Sequence, residues 1–342
     1  MRKEKKSYIT LYIIIVYVIL YSVFIAYRIF YTEKITTSED KNIYIPSNSR
    51  VEDVADTLLS NKIVDKGKFL RYASLNSYSS VKGGHYVVKK GTTYRNLVRM
   101  LSAGQQVPVN LVISENIRTK ERLVEIVSKQ IEVDSISLLN LLNDKSFLNE
   151  LGFTPENSIL LFLPNTYNVY WNRDAKALFY DMKKHYDRYW NAERFKKLEV
   201  AGLTKEDAMI IASIAIEESS KYDELPRIAG VYINRLNKGM PLQADPTVKY
   251  AIGDFTIRRV LYSHLKFDSP YNTYLYKGLP PGPICIPSQR SIDAVLNYEK
   301  HDYIYFCAKD DFSGYHAFAK TLEQHNQNAN AYRNALNQRR IF

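Results

Sequence analysis

The chain has 342 residues, with 47 Lys and Arg against 36 Asp and Glu, giving a formal net charge of +11. That length exceeds one ordinary domain, and 46% hydrophobic residues provide for two domains plus an anchor. The charge suits an anionic partner (nucleic acid, lipid headgroups or an acidic polymer) without choosing among them. The two cysteines, Cys285 and Cys307, are too few for a thiolate metal site or a disulfide framework. One bridge between them is open, and two small buried side chains are the simpler reading. The 28 tyrosines supply flat faces with a polar tip, which suit sugar rings.

Residues 1–7 form a tail with a basic cluster, Arg2, Lys3, Lys5 and Lys6. Residues 8–31 read YITLYIIIVYVILYSVFIAYRIFY, without charge from Ile9 to Tyr27. About 20 such residues cross a bilayer core. Tyrosines at both ends fit the interfacial belts, and the basic cluster predicts a cytoplasmic N-terminus with the remainder outside. A cleaved signal peptide would have a shorter apolar core and a small-x-small site; Arg28, Tyr31 and Glu33 follow instead. The expectation is a single-pass anchor in the cytoplasmic membrane, then a polar linker over 32–41.

Residues 42–134 repeat one pattern three times, over 43–63, 86–106 and 111–131. A short apolar alternation is followed by a turn, a Ser or Thr, and an amphipathic stretch. Each reads as a strand and a helix. Ser49 with Glu52 predicts a capping box for the first helix. The first two of these segments, with the strand–turn–helix signal YVVKKGTTYRNLVRML, resemble a LysM-type module, and such modules bind N-acetylglucosamine-containing glycans. A small α+β spacer without a ligand is the alternative. Residues 135–200 read as a mainly helical connection. Leucines recur at helical spacing over 137–148, and a longer helix over 175–198 breaks near 190–193. Between them ILLFLPNTYNVYW reads as an apolar segment followed by a loop.

The segment richest in chemistry lies in 201–342. LTKEDAMIIASIAIEESS opens with Thr204 and Asp207, a helix start, and is apolar all round from Met209 to Ile216. Glu218 ends this helix on the face of Ile211, Ile214 and Ala215. Burial and the negative end of the helix dipole both disfavour its charged form and raise its pKa, as a general acid requires near neutral pH. Two ordinary solvated glutamates, Glu217 and Glu218, are the alternative. A second helix follows, with Pro226 in its first turn and Gly239 at its stop. Near its end, Asn234 and Arg235 are candidates for substrate binding, and Arg235 equally for a structural clamp. Asp245 before Pro246 predicts an N-cap, with substrate contact as the alternative. Gln243 has no such local task and is a candidate for a substrate hydrogen bond. Tyr271, Asn272 and Tyr274, in a Pro- and Gly-rich loop, are candidates for lining a sugar cleft. The end reads as a strand over 302–309 and a turn at Ser313–Gly314. His316 and His325, nine apart, lack the spacing of a zinc site.

In order and spacing, IASIAIEES, AGVYINRL, GMPLQADPTVKYA, SPYNTY, GLPPGPI and FSGYHAFAKTLEQHN resemble the endolytic murein transglycosylases, the MltG/YceG-like family. The resemblance runs from about Ile43 to the C-terminus. It implies an α+β protein with an anchor, a LysM-like subdomain and a mixed α+β catalytic domain. The implied activity is lytic cleavage within nascent peptidoglycan strands that terminates their growth, near the synthases, without metal or cofactor. The family's essential glutamate falls on Glu218. The family's frequent Glu-x-Glu is broken by Ile216, so the first acid's role has no occupant on that face. One carboxyl suffices for this chemistry. Glu218 protonates the leaving oxygen at N-acetylmuramic acid C1, then takes the proton of that sugar's C6 hydroxyl as a 1,6-anhydro ring closes. The alternatives are a hydrolytic muramidase with Asp245 as second carboxylate, and a non-catalytic wall-binding protein. An exported domain argues against nucleic acid.

Overall fold

The computed structural model describes residues 2–339, and for 2–8 and 29–31 the backbone alone. The side chains of Arg2, Lys3, Lys5 and Lys6 therefore lie outside the described residues. Among the described residues the fold is mixed α+β, with fourteen α-helices and six short strands in three two-stranded sheets. The first helix, α1 (Arg2–Thr32), contains Ile9–Arg28, a stretch long and apolar enough to cross a membrane. The chain forms two compact units. One runs to Asn110 and includes Asn168–Arg173; the other comprises Leu111–Tyr167 and Asp174 onward.

In the first unit, β1 (Lys41–Ile45) runs antiparallel to β2 (Gly84–Val88), with Ile43 opposite Tyr86. Alternation sends Ile43, Ile45, Tyr86 and Val88 into the core. There they meet Val54 and Leu58 of α2 (Val51–Ser60), Phe69 of α3 (Lys66–Leu75), and Leu97 and Leu101 of α4 (Tyr94–Ala103). Each such fully buried side chain contributes roughly 1.5–3 kcal/mol. The capping box expected from Ser49 and Glu52 does not form. Ser49 donates its hydroxyl to Pro46 O in the preceding turn, so α2 starts one residue later. The Arg50 N–H then meets the Asp53 carboxylate at 2.7 Å. Helix α3, which the repeated pattern does not include, is capped by Asp65.

The chain passes into the second unit along β3 (Val109–Ile113) and out of it along β4 (Asn165–Val169), and these two strands pair with each other. The expected loop after Pro164 is thus partly a strand, with Tyr167 and Val169 buried. The third strand–helix segment, β3 with α5 (Lys120–Ser128), packs mostly within this unit. The leucine-rich stretch is two short helices, α6 (Ser135–Leu141) and α7 (Lys145–Leu151). Asp144 caps the second and separates them. The expected break at 190–193 is present between α8 (Ala175–Tyr189) and α9 (Ala192–Ala201).

At the centre lies α10 (Lys205–Glu218), buried continuously from Ala208 to Ala215. Thr204 and Asp207 form its capping box as expected, with bonds of 2.9 and 3.0 Å. It packs against α11 (Leu225–Asn237), α12 (Asp245–Ile252) and α13 (Gln289–Leu296). Strand β5 (Tyr305–Ala308), shorter than the 302–309 expected, pairs antiparallel with β6 (His316–Ala319). The chain ends in α14 (Leu322–Gln338). Cys285 is buried and Cys307 half-buried, and the two are free thiols.

Candidate active site

Helix α10 delivers Glu218 at its last residue, where the unsatisfied carbonyls of the final turn concentrate negative charge. The residue keeps a part-exposed edge, but protein atoms crowd its carboxyl. That crowding is the largest influence and pushes its pKa up to about 7; nearby Asp245 and Glu217 act in the same direction. The buried Tyr232 hydroxyl donates to Oε1 at 2.7 Å and, with Lys249, opposes part of the rise. A carboxyl so placed is protonated in an appreciable fraction at neutral pH and is aimed by one fixed donor.

Glu218 opens onto a cleft of about 440 Å³. Its walls are Tyr232 and Arg235 of α11, Leu242, Gln243 and Asp245, Tyr274, residues Tyr305 to Ala308 of β5, His316 of β6, and Leu322 and His325 of α14. Apolar rings with a few fixed polar groups give it the character of a ligand cleft.

Of the residues expected from the sequence, Glu218, Arg235, Gln243, Asp245 and Tyr274 meet in this cleft. Arg235 is 7% exposed, and it clamps the main chain rather than a carboxylate. Its guanidinium donates to Ile304 O at 2.6 Å, Leu242 O at 2.8 Å and Pro241 O at 3.2 Å, and lies over the Tyr305 ring. Burial lowers its pKa. Arg235 also donates to Gln243 Oε1 at 3.2 Å. Gln243 adopts φ 51°, a left-handed conformation costing a residue with a Cβ about 1–2 kcal/mol. Its N–H bond to Thr273 O helps hold it there.

Asp245 is not the N-cap expected of it. Ala244 occupies the cap, Asp245 is the first helical residue, and its carboxylate accepts the Tyr274 hydroxyl at 2.6 Å. The expectation failed because the loop residue Thr273 takes the Ala244 N–H and fixes where the helix begins.

Asn234, Tyr271 and Asn272 are not among the cleft residues. The Asn234 amide donates to His301 O and Tyr303 O, at 2.7 and 3.0 Å. Asn272 is fully buried and donates to Leu265 O and Phe267 O. Both amides therefore fasten loops and have no free donor for a sugar. Tyr271 packs on Tyr250, with ring centres 4.8 Å apart. Glu217 forms a two-pronged pair with Arg118, at 2.7 and 3.0 Å, away from Glu218's partners.

Three contributors escape the sequence reading: Tyr232, His316, weighed only for zinc, and Glu224. The Glu224 carboxylate accepts His316 Nδ1–H at 2.7 Å across 92 residues of chain. Only the strand-like YHAFA alternation hinted that His316 faces inward. Among the described residues no cluster of three or more His, Cys, Asp or Glu side chains has the arrangement of a metal site.

Residues 43–331 match the model of the YceG-like family. The chain is 30% identical over 319 residues to a Bacillus subtilis protein named "Endolytic murein transglycosylase", covering 87% of this chain and 86% of that one. A Streptococcus pneumoniae protein of the same name is 28% identical, over 83% of this chain and 57% of its own greater length. A crystal structure of a YceG-like protein from Listeria monocytogenes superposes with a TM-score of 0.57 at 29% identity, covering 85% of this chain and 99% of that one. On a match that spans both units and includes every residue of the cleft, this chain belongs to the YceG-like family.

Proposed function

We propose that the protein is a peptidoglycan lytic transglycosylase, anchored by α1 with its N-terminus in the cytoplasm and the rest outside. It cleaves the β-1,4 bond between N-acetylmuramic acid and N-acetylglucosamine within nascent strands and leaves 1,6-anhydro ends, which terminates elongation beside the synthases. The observation that carries this reading is the Glu218 carboxyl, raised to about 7 and held by Tyr232 at the edge of an aromatic-walled cleft. Protonated Glu218 donates to the leaving oxygen, and the sugar's C6 oxygen closes on C1. Gln243, Asp245 and Tyr274 hold the glycan, and Arg235 supports the wall that carries them. The first unit, whose β1–α2–α3–β2 order supports a LysM-like reading, holds the strand. Digestion of purified glycan strands by the full chain in detergent tests the assignment. Anhydro-ended products that disappear with Glu218→Gln are expected, and equal cleavage by both proteins overturns it.

One observation favours a second reading, a hydrolytic muramidase. Asp245 is free of the capping task and shares the cleft with Glu218, so it can serve as a second carboxylate that activates water. Reducing ends in place of anhydro ends would select it.

A further inference from the structure

Glu224 is a buried carboxylate to which the chemistry above gives no task. It stands immediately before α11, 5% exposed, and both oxygens are engaged. Oε1 accepts the His316 backbone N–H at 2.8 Å; Oε2 accepts His316 Nδ1–H at 2.7 Å and the Ser219 hydroxyl at 3.3 Å. Ser219 directly follows Glu218, so this carboxylate lies close to the acid. Burying such a group costs several kcal/mol unless its bonds offset it. A carboxylate only accepts, so Nδ1 carries a proton, and in the neutral form of the ring Nε2 is the acceptor. Nε2 has no protein partner among the described residues, and His316 lines the cleft that contains Glu218. Phe306 meets the imidazole edge-on, with centres 5.2 Å apart, and fixes its plane.

We propose that His316 is a second proton-transfer group of this cleft, its Nε2 taking the proton of the muramyl C6 hydroxyl while Glu218 protonates the leaving oxygen, with Glu224 as the positioning residue. This rests on the lyase reading. The Glu218 proton goes to the glycosidic oxygen, and the C1–O bond breaks with its electron pair on that oxygen. The C6 oxygen bonds to C1 and its proton passes to Nε2, giving an imidazolium beside the Glu224 carboxylate. One proton then returns from His316 to the Glu218 carboxylate through cleft water, and both groups are reset. No water is consumed. Glu218 is relieved of acting as base directly after acting as acid. A purely structural pair would tie β6 to the start of α11 and leave Nε2 idle.

The test uses the full chain in detergent on purified glycan strands, comparing wild type, Glu218→Gln, His316→Ala and Glu224→Gln, with melting curves for each. His316→Ala is expected to lose about 100-fold or more in kcat with KM within about threefold, the scale of acid–base assistance. Added imidazole should restore about tenfold. Glu224→Gln, whose amide can donate to Nδ1 and move the imidazole proton to Nε2, should lose kcat about 100-fold at unchanged KM. His316→Ala retaining kcat within about threefold overturns the proposal. So does a loss that imidazole does not relieve in a protein with unchanged melting. If His316→Ala does not fold, Glu224→Gln decides: kcat within about threefold of wild type overturns the proposal. A wild type that leaves strands intact, or Glu218→Gln as active as wild type, overturns the lyase reading itself.

Discussion

Glu218→Gln should remove activity and at the same time stabilise the protein at alkaline pH. The side chain keeps its shape, and the Tyr232 hydroxyl can still donate to the remaining carbonyl oxygen. What disappears is the cost of a crowded charge. Glu218 titrates near 7 in the folded chain against an ordinary value of 4.5. The folded state therefore holds this proton more tightly than the unfolded state. The associated stability is fully present below pH 4.5 and is lost as pH rises through 7. At 1.36 kcal/mol per unit, that gap corresponds to about 3 kcal/mol. Equilibrium urea unfolding of both proteins in the same detergent, at pH 4, 6 and 8, reads the difference. Near-equality at pH 4 is expected, with the variant ahead by up to about 3 kcal/mol at pH 8. A difference that stays flat across this range would refute the raised pKa and the acid role built on it.

Three further outcomes follow from the same geometry. Cleavage should decline on the alkaline side of about pH 7, tenfold per unit, as Glu218 loses its proton; Tyr232→Phe removes a donor to the carboxylate and should move that decline to higher pH in a kcat/KM profile. Asp245→Asn removes a negative charge that raises the Glu218 pKa, so the decline should move to lower pH, and mass analysis should still find anhydro ends. In the GLPPGPI loop, a Cβ on Gly282 would stand 2.3 Å from Glu156 O, so Gly282→Ala should cost about 1–3 kcal/mol in urea unfolding.

Helix α10 was legible because its signals are local. An apolar run without a polar face, Thr204 three residues before Asp207, and a terminal glutamate on the buried side define α10 and Glu218 without tertiary information. The strand–helix repeats were legible for the same reason: alternation and helical spacing lie within about 20 residues. What the sequence hid depends on partners far along the chain. Asn165 to Val169 become a strand because β3, more than 50 residues earlier, supplies a neighbour. Asp245 reads as a cap until Thr273 takes the Ala244 N–H and Tyr274 binds the carboxylate. Asn234 and Asn272 read as sugar contacts because a polar residue beside an apolar face looks alike whether it meets a ligand or a distant carbonyl. Glu224 and His316 carry no mutual spacing signal at all, since their bond exists only once β6 has paired with β5.

The central claim is a lyase run by Glu218, and the ends of its products test it most directly. Purified glycan strands digested by the full chain and resolved by mass spectrometry should carry 1,6-anhydro-muramyl ends, absent with Glu218→Gln. Reducing ends, 18 Da heavier by one water, or the same products from both proteins, would contradict the account.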